Sequence, residues 1–530
     1  MSSGELFSTS PEGLPNATPT RTVPLDNGAV FDLRIAPVAN RIGDATARML
    51  AYNGSVPGPA LRVRQGSEIS VRVRNDADHE ATVHWHGLRV ENRFDGVPCE
   101  TQDPIPVGGE FTYRLQFPDD GLYWYHPHVR EDYGLEMGLY GNIVVDPATE
   151  DSWEPVDREV VVTLDDVLME GDQIAAFRVD DVSHTAMGRF GNVMLIGGAT
   201  DFHVDVLAGE VVRFFFTNTA NTRLFNVAIP GARIKLVGGD SGRYEREEWV
   251  DAVLLAPSER AIVDVLFASP GEYRLEHQPP VGDANVLGSI TCDGGAPTAA
   301  AAAFETLHEH GELAAERMGL DADLARQPDK TLRLVALMPI LYGGGAVESS
   351  SWVCPMHPEV VTDSPGTCPK CGMQLIPAHV DAAAASHGPH SHDSRDGLEW
   401  EDLMPDINAR TNTSNMIWKI VDEESGLENA AIDWSFRVGD RVKIRLVNTM
   451  ESEHPMHHPF HIHGAGRFLV VARDGVPASN LVWKDTVLVR AGETADIVLD
   501  VTNPGLWMAH CHIAEHNQDG MMFSFAVAAN

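Results

Sequence analysis

The chain has 530 residues, 43% of them apolar, so it can bury the cores of about three to four domains. Its net charge of −38 excludes nucleic acid as a partner, because that needs a positive footprint, and argues equally against an anionic membrane surface. Three of the six cysteines crowd between positions 354 and 371 and a fourth lies between two histidines, so this is not a disulfide scaffold.

The first thirty residues lack a charged segment followed by an apolar one, and no apolar run reaches the length of a membrane span. The first strong element is Gly66-SEISVRVR-Asn75. It recurs with identical spacing as Gly209-EVVRFFFT-Asn218 and Gly439-DRVKIRLV-Asn448. Alternation of apolar and polar residues predicts a half-buried strand in each copy. A second glycine-led strand follows each: Gly121-LYWY-His126, Gly271-EYRL-Glu276 and Gly505-LWMA-His510. The outer copies place a histidine five positions after the glycine, and the middle copy places Glu276. The prediction is one all-β Greek-key sandwich unit used three times, with metal ligands kept in the outer copies. The expected boundaries are 1–150, 151–298 and 399–530. Residues 299–345 supply a helical linker and the start of the third unit, and 346–398 form an insertion.

Four histidine pairs punctuate this frame: His84-Trp-His86, His126-Pro-His128, His461-Ile-His463 and His510-Cys-His512. His458 and His516 flank the last two. No single ion can use so many imidazoles. Cys511, set between two of them, points to copper, because soft sulfur selects that metal and imidazole holds it. Several coppers in electronic contact are a device for redox chemistry. Strand alternation puts both histidines of a pair on one face. Dividing them between two ions therefore requires facing pairs, which the first and third units supply. His454 and His457 form a second register ahead of His458, rejected because only His458 has the right interval to His461 and His463. His277 reads as structural, and Cys99 and Cys292 as buried thiols.

These motifs resemble the multicopper oxidase family, which includes the laccases. The resemblance covers the chain except residues 346–398, and rests on His84-Trp-His86-Gly, Tyr125-His126-Pro-His128, His458-Pro-Phe-His461-Ile-His463-Gly and His510-Cys511-His512-xxx-His516-xxxx-Met521. It implies three cupredoxin-like Greek-key β-sandwich domains with a small inserted metal-binding hairpin module. It also implies four coppers. Cys511, His458 and His516 would bind the type 1 copper, with Met521 as the weak axial ligand and Met522 a weaker candidate for that role. His84 and His461 would bind the type 2 copper. His86, His126 and His512 would hold one type 3 copper, and His128, His463 and His510 the other. Asp95 matches an acidic position the family uses in proton supply. Relatives often carry a second acid directly after the position of His516; here that residue is Asn517.

The implied activity is laccase-like: one-electron oxidation of a phenol, aromatic amine or low-valent metal ion, coupled to reduction of O2 to water. The alternative is a cuprous oxidase in copper detoxification. The resemblance implies an extracytoplasmic (periplasmic or secreted) location, with a cytoplasmic one left open because the sequence shows no signal peptide. In the insertion, Cys354-Pro-Met-His357 and Cys368-Pro-Lys-Cys371 form a CxxH…CxxC set suited to a tetrahedral soft-metal site. The stretch from Trp352 to Leu375 is similar to the heavy-metal-binding module of copper-exporting ATPases and efflux adaptors. It would capture Cu(I) or hold a structural zinc, with Met356 or Met373 assisting. The tract bearing His379, His387, His390 and His392 reads as a flexible loop. The insertion supports the cuprous reading, and the lack of a methionine-rich tract opposes it.

Overall fold

The computed structural model describes residues 5–149, 153–311, 313, 315, 319, 322–323, 326–342, 351–354, 357, 359–364, 366, 368–370, 375–377 and 396–530. Among these residues three large pairs of sheets form, each pair enclosing its own apolar core. In each, the glycine–asparagine strand is central: Glu68–Asn75, Val211–Asn218 and Arg441–Asn448. It runs parallel to an earlier strand of the unit (Val30–Ile42, Arg158–Val167 or Lys330–Leu337) and antiparallel to a later one (Glu110–Gln116, Arg260–Leu266 or Thr494–Val501). A parallel neighbour reached through other strands is what a Greek-key path produces.

The repeat has a physical cause at both ends of this strand. Gly66, Gly209 and Gly439 have φ of +83°, +91° and +93°, a region costly for residues with a side chain. Their N–H groups donate to the carbonyls of Phe117, Phe267 and Val501. At the other end the buried asparagine pins the following loop. Asn75 Nδ2 donates to the carbonyls of His79 and Ile105, Asn218 to those of Arg223 and Leu255, and Asn448 to those of Met456 and Val489. In the outer units those loops lead into the histidine-bearing strands His84–His86 and His458–Ile462.

A short helix, Ala299–Phe304, opens the linker, capped by the Thr298 hydroxyl accepting from the Ala301 N–H. The insertion falls between strands Lys330–Leu337 and Ile417–Asp422, which are paired neighbours, so it lies within the third unit. Its described part is a three-stranded sheet built on Trp352–Val353. No helix among the described residues is long and apolar enough to cross a membrane.

Candidate metal centre

Strand alternation sorts the ligands of the third unit onto two faces. Phe460, Ile462 and Cys511 belong to its own core. His461, directly opposite His510 in the sheet, turns to the other side with His463. There the two meet the first unit: His461 stacks on His86 with ring centroids 3.8 Å apart, and His463 lies 4.0 Å from His84. His84 is in turn paired with His126 in the first unit's sheet. All eight paired histidines are buried.

The three sets expected from the sequence share this one space, alongside equally short contacts between the sets. His86, His126 and His512 have mutual centroid distances of 5.7, 5.0 and 5.1 Å. His128, His463 and His510 are separated by 5.1, 5.3 and 5.2 Å. His84 and His461 stand 5.8 Å apart.

In six of the eight rings (His84, His86, His126, His461, His463 and His510) one nitrogen is occupied by a protein oxygen, which fixes the tautomer and aims the other nitrogen inward, whereas both nitrogens of His512 are buried without a partner. His84 Nδ1 donates to the Asp95 carbonyl (2.7 Å), His461 Nδ1 to the Asp485 carbonyl (2.8 Å) and His510 Nδ1 to the Cys511 carbonyl (2.8 Å). His463 Nδ1 donates to Asp95 Oδ2 at 2.8 Å, and His86 Nε2 to Asp485 Oδ1 at 2.9 Å. The inward atoms His84 Nε2, His86 Nδ1, His126 Nε2, His128 Nε2 and His461 Nε2 are buried without a partner. His463 Nε2 and His510 Nε2 face one another at 3.1 Å, although each ring already donates from Nδ1. Two bare lone pairs at that distance repel unless a cation lies between them. So many orphaned acceptors in one buried space fit metal ions and nothing else in the chain's chemistry. Burial, reinforced by neighbouring imidazoles, holds His86, His126, His128, His461 and His510 well below the ordinary imidazole range, so they are neutral as ligands must be.

On the core side, Cys511 Sγ lies 3.5 Å from His458 Nδ1 and 3.7 Å from His516 Nδ1. The Ile513 N–H points at the same sulfur (3.4 Å), and Trp418 stacks on His516 at 4.0 Å. Met521 is fully buried in that core, while Met522 packs with Val97 and Met508 in a separate cluster. A Cys-His-His set with a nearby methionine suits a blue copper. His457 is engaged elsewhere, its Nδ1 accepting from the Glu399 N–H, and His277 Nδ1 accepts from the Asn226 N–H. His277, read from the sequence as structural, makes that backbone contact, and the Nδ1 of His457 is likewise spent on backbone.

Asp95 grips two cluster histidines, donating no proton in this arrangement. Burial works to raise its pKa, but the adjacent His463 and His84 outweigh it and hold the carboxyl below the usual range. Two further acids were not foreseen. Glu131, buried on helix Glu131–Glu136, lies 3.2 Å from His126 Nδ1 and accepts from Asn517 Nδ2 at 2.6 Å. Burial pushes it up to about 8. Its sequence signal was an acid three residues after His128. Asp485 orients His86 and is itself held by Arg260 Nη1 of the middle unit at 2.7 Å. Nothing local in the sequence marks that pairing.

In the insertion His357 Nδ1 lies 3.7 Å from both Cys354 Sγ and Cys368 Sγ, and the Lys370 N–H points at Cys368 Sγ (3.4 Å). Their ligand atoms converge closely enough to share one ion. Cys371, Met356, Met373, His379, His387, His390 and His392 lie outside the described residues. Cys292 is buried as expected, but Cys99 is not: it is partly exposed and packs against the insertion, because its turn reaches out of the first unit.

Comparison with known proteins agrees with this geometry. Multicopper oxidase family models match residues 36–150 and 402–530, and a heavy metal binding domain model matches 351–378. The chain is 27% identical to multicopper oxidase MmcO of Mycobacterium tuberculosis, over 93% of this chain and 86% of that protein. It is 25% identical to a copper resistance protein A homolog of Pseudomonas syringae, over 93% and 92%, and 27% identical to rice laccase-15, over 90% and 86%. Among solved structures, a Campylobacter jejuni multicopper oxidase described as a metallo-oxidase superposes with a TM-score of 0.68 at 21% identity, covering 100% of this chain and 98% of that one. With two family models matched at the two ends that carry the clustered histidines, the chain belongs to the multicopper oxidase family.

Proposed function

We propose that Cys511, His458, His516 and Met521 hold a type 1 copper, His84 and His461 a type 2 copper, and the two histidine triads a pair of type 3 coppers. The sequence units 1–150, 151–298 and 399–530, the last joined by strand Lys330–Leu337 from the 299–345 segment, are then three domains, with the ligands divided between first and third. When bound, the coppers supply one-electron oxidation at the cysteine site and four-electron reduction of O2 at the histidine cluster. The chain's own part is wiring and positioning. Cys511 is covalently joined to His510 and His512, which belong to different triads, so one strand end links the two sites. Asp95 and Asp485 fix imidazole orientation, and Glu131 sets a carboxyl against His126.

The observation that carries this reading is the placement of Cys511 Sγ within 3.7 Å of two imidazoles while its two neighbours enter the cluster. Phenols and aromatic amines are the first reductants to test. Cuprous ion is a second, favoured by the three-donor cluster of the insertion and by the burial of His458 and His516 (1% and 0% exposed), which leaves little room for a bulky substrate. Steady-state O2 uptake with a phenol and with Cu(I), on protein whose metal content is counted per chain, decides between them. Failure of both to drive O2 uptake in four-copper protein overturns the oxidase reading.

A further inference from the structure

The sequence sets Cys99 apart from every metal motif, yet the fold carries it to the insertion. It packs against the small cluster of Trp352, Cys354, Cys368 and Leu375, and its Sγ lies 3.2 Å from the carbonyl of Lys370, two residues past Cys368. Cys354 and Cys368 are the sulfur donors that converge with His357. A thiol of the first unit therefore stands beside a soft-metal cluster supplied by the third.

The turn that presents it is held rigidly. Cys99 has a φ of +64°, uncommon for a residue with a side chain and characteristic of functional turns. Its N–H donates to the Gln102 carbonyl at 2.7 Å, and Pro98 bridges Gln102. The Thr101 hydroxyl accepts from the Val97 N–H and lies 3.1 Å from the Val97 carbonyl. Glu100, next in the chain, accepts from Ser524 Oγ, tying the same turn to the third unit. Nothing in the packing of the first unit's own core requires a cysteine there, since its side chain leaves that core.

We propose that Cys99 is a thiolate donor to the soft ion held by Cys354, His357 and Cys368, so that the heavy-metal site is built between the insertion and the first domain. Sulfur-rich sets of this kind select closed-shell thiophilic ions, Cu(I) among them. The inference rests on the insertion binding such an ion. It gives the insertion a fixed seat, because an ion bound there staples the two units together. The stapled turn begins at Asp95, which grips His463 and His84, so the ion and the oxygen-reducing cluster share one short piece of backbone.

The test uses the full chain with its four coppers, anaerobic and fully reduced, titrated with Cu(I) against a chromophoric cuprous chelator. Cys99→Ser and Cys99→Gly should each weaken the additional Cu(I) site at least tenfold. The glycine variant also relaxes the positive φ, so it keeps the test alive if the serine variant folds poorly; the blue band on reoxidation reports folding. In the unsubstituted protein, Cu(I) loading should protect Cys99 from alkylation by iodoacetamide, read by mass spectrometry. Unchanged Cu(I) affinity in both Cys99 variants, or alkylation of Cys99 unaffected by loading, overturns the proposal. A loss of affinity in Cys371→Ser with none in the Cys99 variants does so too, by assigning the remaining thiolate to Cys371. If Cys368→Ser itself leaves binding intact, the soft-metal reading of the insertion fails, and this inference with it.

Discussion

Asn517 of the third unit donates to Glu131 of the first at 2.6 Å, and the same carboxyl lies 3.2 Å from His126 Nδ1. Where the family resemblance implies an acid directly after His516, this chain has an amide, and a carboxyl from the first unit stands against it. Glu131→Gln keeps the size and the hydrogen bond to Asn517 but removes the ionisable oxygen. Turnover should fall by about a hundredfold or more, the low end for loss of a positioned acid. Reduction of the blue copper in stopped flow should be unchanged and its reoxidation slow. Slow reduction with normal reoxidation would place Glu131 outside the O2 half of the reaction.

Asp95 makes the matching contact on the other triad. Its Oδ2 accepts from His463 Nδ1 at 2.8 Å, and its carbonyl from His84 Nδ1. Asp95→Asn can keep both of these bonds, the second being to the backbone, but removes the charge that balances the cluster. Loss of such an outer partner costs about 10–100-fold in metal affinity or activity. Turnover should drop by that range, with prompt reduction of the type 1 copper by substrate and a block in reoxidation.

Cys511→Ser removes the sulfur while leaving His510 and His512 on their strand. The blue absorption should vanish and substrate-driven O2 uptake with it. Copper at the histidine cluster, counted by metal analysis and by its EPR signal, should largely remain. A variant that stays blue, or oxidises phenols at the usual rate, would contradict the pairing of Cys511 with His458 and His516.

Much of this centre was legible because ligands in strands obey a period of two. His458 and His461 differ by an odd number and so face opposite sides, which places one with Cys511 and the other in the cluster. The repeat was legible too, since the same glycine and asparagine solve the same problem in all three sandwiches. What stayed hidden depended on contacts between units. Asp485 reaches His86 across a domain boundary, and Arg260 holds it from the middle domain. Cys99 sits in a loop whose neighbours come from an insertion far along the chain. No local pattern encodes such partners.

The repeated asparagine gives a stability test away from copper. Asn218 is fully buried in the domain without ligands, and its amide satisfies two carbonyls. Asn218→Ala orphans both, at about 1–3 kcal/mol each. The first denaturation transition should move to lower denaturant by an amount equivalent to roughly 2–6 kcal/mol, with the blue spectrum of folded protein unchanged. A shift under 1 kcal/mol on that scale would mean that water replaces the amide.

The insertion offers the last test, because its donors lie outside every ligand of the four-copper centre. Deleting residues 351–378, or changing Cys354 and Cys368 to serine, should remove one bound soft metal per chain. The blue spectrum and phenol oxidation should stay near normal, since none of the twelve proposed copper ligands is touched and strands Lys330–Leu337 and Ile417–Asp422 still pair. The informative comparison is cuprous oxidation at low free copper. If the insertion delivers Cu(I) to the blue site, that rate falls while phenol kinetics stay put. If both rates survive unchanged, the insertion is an accessory staple on the Cys99 turn and cuprous oxidation loses its main support. A collapse of phenol oxidation in well-folded protein would instead show that the staple holds the Asp95 turn in its working position against His463.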